Sequence, residues 1–277
     1  MKLKNNHILD QIGQVISLDL MLEEDIHTIH SISENDIQSI NKSVHKLRKS
    51  LKSISAILFL YEFQIDQSQY LNWKSEIKSL SKQFSEVREY FIHLQTFKKV
   101  EDKLKDIDKS DLFEIRTQFE SEYDQIVQRV TVREKTILKG KEAILKMCQE
   151  IQNRHIHSEL KLLERRLLKS NQKAQKQFKK LSLNSSHNEF HEFRKSCKRF
   201  YLQHIVYNRL GFEKTSKQNK KLYQLTEYLG KEHDLNLLYE FLSIHFHELP
   251  PLSQSFFMHK IRKLRKNVFM LYPEVNY

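Results

Sequence analysis

The sequence predicts an all-α protein in which two antiparallel four-helix bundles, related by internal duplication, pack around a basic groove or channel. Three observations predict it. Four Gly and three Pro in 277 residues leave few helix breakers. Apolar residues recur at spacings of three and four. A charged pattern, H-x-x-R-K-x-x-K, occurs twice: as His45-Lys46-Leu47-Arg48-Lys49-Ser50-Leu51-Lys52 and as His191-Glu192-Phe193-Arg194-Lys195-Ser196-Cys197-Lys198.

The expected helices run over 5–24, 36–63, 70–99, 109–150, 152–181, 187–209, 216–247 and 252–270, four to each half. The polar run Ser31-Ile32-Ser33-Glu34-Asn35-Asp36 ends the first and offers caps to the second. In the second helix Leu47, Leu51, Ile54 and Leu58 form the packing face, opposite the cations. Asp66-Gln67-Ser68 opens the third, and Asp106 to Asp111 separates it from the fourth. Leu183-Asn184-Ser185-Ser186 precedes the second basic helix, whose packing face is Phe193, Cys197, Phe200 and His204. Gly211 and then Pro250-Pro251 mark the last two turns. Short connections between long amphipathic helices favour antiparallel neighbours.

The repeat extends beyond the basic helices. Leu80 to Tyr90 aligns with Leu225 to Leu235 with one residue of slippage, so that Arg88-Glu89 meets His233-Asp234. Residues 7–22 and 155–181 likewise both lead through a polar turn into a basic helix. The chain therefore divides into an N-terminal half, 1–150, and a C-terminal half, 151–277. The joint around Glu150 to Asn153 is helical in character, so the halves are expected to form one rigid body.

With 39% hydrophobic residues each half can bury a core. No stretch reaches the roughly 18–20 apolar residues of a membrane span, and Met1 to His7 lacks the apolar run of a signal peptide, so a cytoplasmic location without membrane contact is expected. Cys148 and Cys197 stand singly on apolar helix positions and read as core residues. The fourteen His include no H-E-x-x-H pair and the Gly stand singly, so no metal, phosphate loop or other cofactor is implied. No Ser or Cys nucleophile with a His partner emerges.

What remains is charge. Against 35 Asp and Glu stand 47 Lys and Arg, a net +12, which favours a polyanionic partner. At about 100° per residue, the His, Arg and Lys of each copy fall on one stripe. Arg grips phosphate oxygens bidentately, Lys acts as a point charge and His donates from one or both ring nitrogens. Aromatic residues do not interleave with the stripes as base-stacking platforms would.

These segments resemble the signature helices of the CHAD domain, the conserved histidine α-helical domain. The resemblance rests on His45-Lys46-Leu47-Arg48 with Phe84 to Glu89, and on His191-Glu192-Phe193-Arg194-Lys195, Lys198-Arg199 and Leu229-Gly230-Lys231-Glu232-His233-Asp234. It spans nearly the whole chain. It implies two four-helix bundles around a basic surface and binding of inorganic polyphosphate, in some members as a module that targets polyphosphate granules.

The residues expected to hold phosphate are His45, Arg48, Lys49, Lys52, His191, Arg194, Lys195, Lys198 and Arg199, with Arg88 and Lys231 completing the groove from the following helices. Arg129, Arg133, Lys139 and Lys141 are further candidates. Ser53, Ser55 and Tyr201 stand where the family carries more Arg, and Glu89 where Asp is usual. The stripe is thus thinned, chiefly in the first copy, and the second is expected to carry most of the binding. The expected role is non-catalytic binding of polyphosphate or a similar polyanion. The alternatives are a nucleic-acid-binding helical protein and an enzyme acting on polyphosphate or phosphorylated metabolites.

Overall fold

The computed structural model describes residues 15–32, 37–130, 135–209 and 216–275. The first part of the expected 5–24 helix, Arg133 and the turn at Gly211 lie outside them. Ten α-helices occur among the described residues: α1 Leu18–His30, α2 Ile37–Leu60, α3 Gln67–Gln83, α4 Ser85–Val100, α5 Lys109–Gln128, α6 Thr136–Gln152, α7 Leu160–Phe178, α8 His187–Asn208, α9 Ser216–His245 and α10 Pro251–Leu271. A short β1, Val15–Ser17, pairs antiparallel with β2, His157–Glu159, with Ile16 opposite Ser158. No described helix is long and apolar enough to cross a membrane.

Local chemistry accounts for several helix ends. Asp66 accepts from the amides of Ser68 and Gln69 at 3.0 and 3.1 Å and so starts α3. Ser186 and Glu189 cap each other at the start of α8, the reciprocal arrangement that a Ser followed three residues later by Glu favours. Asp106 caps from a distance: it accepts from Leu252 and Ser253 at 2.7 and 3.1 Å, tying the loop after α4 to the first turn of α10.

Eight helices were expected and two of them are broken. The 70–99 segment divides at Phe84, whose fully buried side chain packs on Gly140 of α6. A side chain at residue 140 would collide with that ring. The 109–150 segment divides between Gln128 and Thr136, with Lys135 in the left-handed region at φ 48°. Neither break carries a Pro at its centre, which is why both were invisible to residue type.

Three hydrophobic cores result. The largest is built mainly on α1, α2, α3 and α6 around Leu22, Leu51, Trp73 and Met147. A second, around Phe97, Phe119, Leu242 and Phe257, joins α4 and α5 to α9 and α10. The third, around Phe193, Leu225, Leu229 and Val268, joins α7 and α8 to α9 and α10. The 30-residue α9, about 45 Å long, serves the third core through Leu229 and the second from Leu238 onward. Between those leucines lie His233 and Asp234. Likewise α4 leaves the first core at Val87 and enters the second at Leu94, with Arg88 and Glu89 in the interval. Charged residues therefore occupy the seam where the cores meet.

Candidate functional site

At that seam α2 packs on α8 and α4 on α9, and between them opens a cavity of about 580 Å³. From α2 it is lined by Arg48, Lys52, Ser55 and Phe59; from α8 by Arg194, Lys195, Lys198, Arg199 and Leu202. The two repeated stripes thus face one groove. Arg88, Glu89 and His93 line it from α4, His233 and Asp234 from α9, and Tyr70 and Lys74 from α3. Eight Lys and Arg side chains surround the space against three carboxylates, and one of those, Glu62, already pairs with Arg166.

Arg48 is held in place by the break after α3. Its Nη1 donates to the Ser81 carbonyl at 3.0 Å and to Ser85 Oγ at 2.9 Å, at the C-terminal end of α3, where carbonyls lose their helical partners. The other cations are crowded instead. Burial and then the charges of Lys198, Arg48, Arg194 and Arg88 push the Lys52 ammonium down to about 7, although its side chain still reaches solvent through the mouth of the groove. Lys198 is lowered by burial and by Arg194, with Asp234 and Glu227 opposing. Arg88 and Arg194 are lowered by burial, and Asp234 raises both. Burial raises the Asp234 carboxyl itself, against Arg194, Lys198 and Arg88. It makes no ion pair within 4 Å with these cations, so it partly balances a cluster rather than locking one partner. Arg194 Nε is buried with no hydrogen-bond partner.

Behind His233, the one of the three that lines the groove, stand the imidazoles of His187 and His191. His233 Nδ1 and His187 Nε2 are 3.2 Å apart, the two rings stack at 5.1 Å, and the His191 ring lies 4.5 Å from that of His233. Burial, Arg194 and the neighbouring rings push His233 down to about 3, and burial with Lys195 and Arg194 lowers His191. Both are neutral at pH 7 and offer one N–H donor each. No group of three or more His, Cys, Asp or Glu among the described residues is arranged to hold a metal ion.

The expected residues do not all reach the groove. His191 of α8 does not line it, and His45 and Lys49 stand outside its lining on the exposed side of α2, although burial and then Arg88, Lys52, Lys49 and Lys198 lower the His45 ring. Lys231 is exposed and off the cavity; the α9 residues that line it are His233 and Asp234. Arg129 pairs with Glu86, Lys141 donates to the carbonyls of His30 and Ile32, and neither these two nor Lys139 lines the groove. Ser53 does not mark a lost groove cation: it is buried and donates to Asp25 Oδ2 at 2.7 Å. Tyr201 packs against the third core beside Tyr223. Of the three positions expected to thin the stripe, only Ser55 lies in the groove. Lys74 and Tyr70 were missed, although their spacing with Ile77 and Ser81 defines one face of α3.

The model of the CHAD domain matches residues 23–243, the span that contains every residue lining this groove. The chain belongs to the CHAD domain family. Two solved structures are similar to it in fold. PptA from Streptomyces chartreusis aligns over 94% of this chain and 97% of its own, with a TM-score of 0.63 at 11% identity. The crystal structure of the CHAD domain from the plant Ricinus communis aligns over 91% of this chain and 83% of its own, with a TM-score of 0.51 at 14% identity. At such identities the likeness concerns the fold. Among curated proteins no sequence matches.

Proposed function

We propose that this CHAD protein binds inorganic polyphosphate in the groove between α2, α4, α8 and α9, without catalysing its turnover. The observation that carries the reading is the imbalance of eight cations against three carboxylates around one cavity, with Lys52 and Lys198 depressed by burial and then by neighbouring cations. Such a site is relieved by an anion that brings many charges and few other demands, because each phosphate oxygen replaces a repulsion by a charge-assisted hydrogen bond. The reading includes a cytoplasmic location, free or attached to polyphosphate granules.

The same reading includes the internal duplication. The order α1, α2, α3 with α4, and α5 is echoed by α7, α8, α9 and α10, with α6 left over. Under that correspondence the contacts of α2 with α8 and of α4 with α9 join equivalent elements, as contacts near a twofold axis do. The halves would be 1–150 and 151–277.

Titration with polyphosphate of defined length and with single-stranded DNA of similar charge, at several salt concentrations, tests it. Polyphosphate affinity is expected to fall steeply with salt and to exceed that for DNA, since the lining is dominated by cations and its flat rings, Phe59, Tyr70, His93 and His233, come singly from four different helices. Equal affinities, or a preference for DNA, would reassign the groove to nucleic acid.

A further inference from the structure

The groove does not end at Arg199. A second cavity of about 490 Å³ shares Phe59, Glu62 and Arg199 with it and runs on over α7. There α7 presents Lys169, Lys173 and Lys176, four and three residues apart and so on one helix face about 10 Å long. All three are exposed, and none forms an ion pair within 4 Å with a described carboxylate. Lys173 adds a little to the lowering of the Glu192 carboxyl, which is paired with Lys195 at 2.7 Å.

The other charges in this cavity are committed. Arg166 is buried; its Nε donates to the Phe59 carbonyl at 3.1 Å, its guanidinium pairs with Glu62, and it lies 3.9 and 4.6 Å from the ring centroids of Phe59 and Phe63. It fixes the wall and cancels Glu62, so the lining carries no unpaired negative charge against the three lysines and Arg199. A second observation points to a ligand. Ser170 is 6% exposed, lines the cavity, and its Oγ has no hydrogen-bond partner.

We infer that α7 forms a shelf that extends the groove: an inorganic polyphosphate chain long enough to pass Arg199 lies against Lys169, Lys173 and Lys176, with Ser170 Oγ free to donate to it. This rests on the polyphosphate reading of the groove. It makes the protein selective for chain length, because a triphosphate fills only part of the groove and gains nothing from the shelf.

The full chain with Lys169→Ala, Lys173→Ala and Lys176→Ala combined is compared with the unaltered protein, using long-chain polyphosphate and triphosphate as separate probes. A second triple variant, Lys260→Ala, Lys263→Ala and Lys266→Ala on α10, removes the same charge elsewhere. The shelf variant is expected to lose about tenfold in long-chain affinity and about 2 in salt slope, with triphosphate binding unchanged and the α10 variant close to the unaltered protein. Equal losses for both probes, or equal losses in both variants, would overturn the shelf while leaving the groove standing. Failure of the unaltered protein to bind either probe would overturn the polyphosphate reading and the shelf together.

Discussion

Lys52 sits closest to the conflict that the groove contains. With its ammonium pushed down to about 7, roughly half of the side chains are neutral near pH 7 in the empty protein. An anion beside it favours the charged form, so binding takes up a proton. The contribution of Lys52 to affinity is full below about pH 7 and declines as pH rises through that value. Calorimetry at pH 7.5 in two buffers of different ionisation enthalpy should give different apparent heats, and Lys52→Met should abolish the difference. The same variant should melt at a higher temperature than the unaltered protein when empty and bind polyphosphate more weakly; a lower melting temperature would show that Lys52 is not under repulsion. Residue identity in the stripe was legible from the repeated pattern, but its edges were not. Ser53 and Ser55 lie about 80° to either side of His45 on the helical wheel, and only packing decides that the groove takes the side of Arg48, Lys52 and Ser55 while Ser53 turns inward to Asp25.

At the scale of elements, α2 and α8 fall within a few residues of their expected bounds, because amphipathic spacing and, for α8, a reciprocal cap are written locally. The division of 70–99 is not written locally. It depends on Gly140, more than fifty residues downstream, leaving room for the Phe84 ring. Gly140→Ala is therefore expected to destabilise the protein by about 1–3 kcal/mol through overpacking, despite the gain of up to about 1 kcal/mol in helix propensity. Denaturant midpoints measure it, and adding Phe84→Leu should recover part of the loss. An unchanged or raised midpoint would mean that the ring and residue 140 are not packed as described. Since Ser81 and Ser85 flank the break and hold Arg48, the variant should also weaken anion binding.

For the molecule as a whole, the site lies where three cores leave a seam, and the two copies of the basic pattern contribute unequally to it. Four cations line the groove from α8 and two from α2. Arg48 already donates to Ser81 and Ser85, whereas Arg194 Nε has no partner. Replacing Arg194 and Lys198 together by Ala should weaken polyphosphate binding more than replacing Arg48 and Lys52 together, although each pair removes two charges. Circular dichroism controls for folding; equal losses would reject the asymmetry. The expected dominance of the second copy thus stands on a different footing from the one read in the sequence, since Ser53 and Tyr201 do not face the groove. What one stripe could not reveal is which neighbours close over it. Lys74, His93 and the α7 lysines arrive through the path of the chain, and no periodicity within α2 or α8 encodes that path.

The interruption at Phe84 has a bearing on where the chain can change length. In an unbroken helix one added or lost residue turns everything beyond it by about 100°. The junction of α3 and α4 absorbs such a change, because α4 starts afresh with its own azimuth. There is no such joint in α9, which runs continuously from Leu229 through Asp234 to Leu238. An insertion or deletion there would rotate the second core away from its partners. Length variation is accordingly tolerable near residue 84 and costly in the middle of α9, where one helix keeps two cores in register.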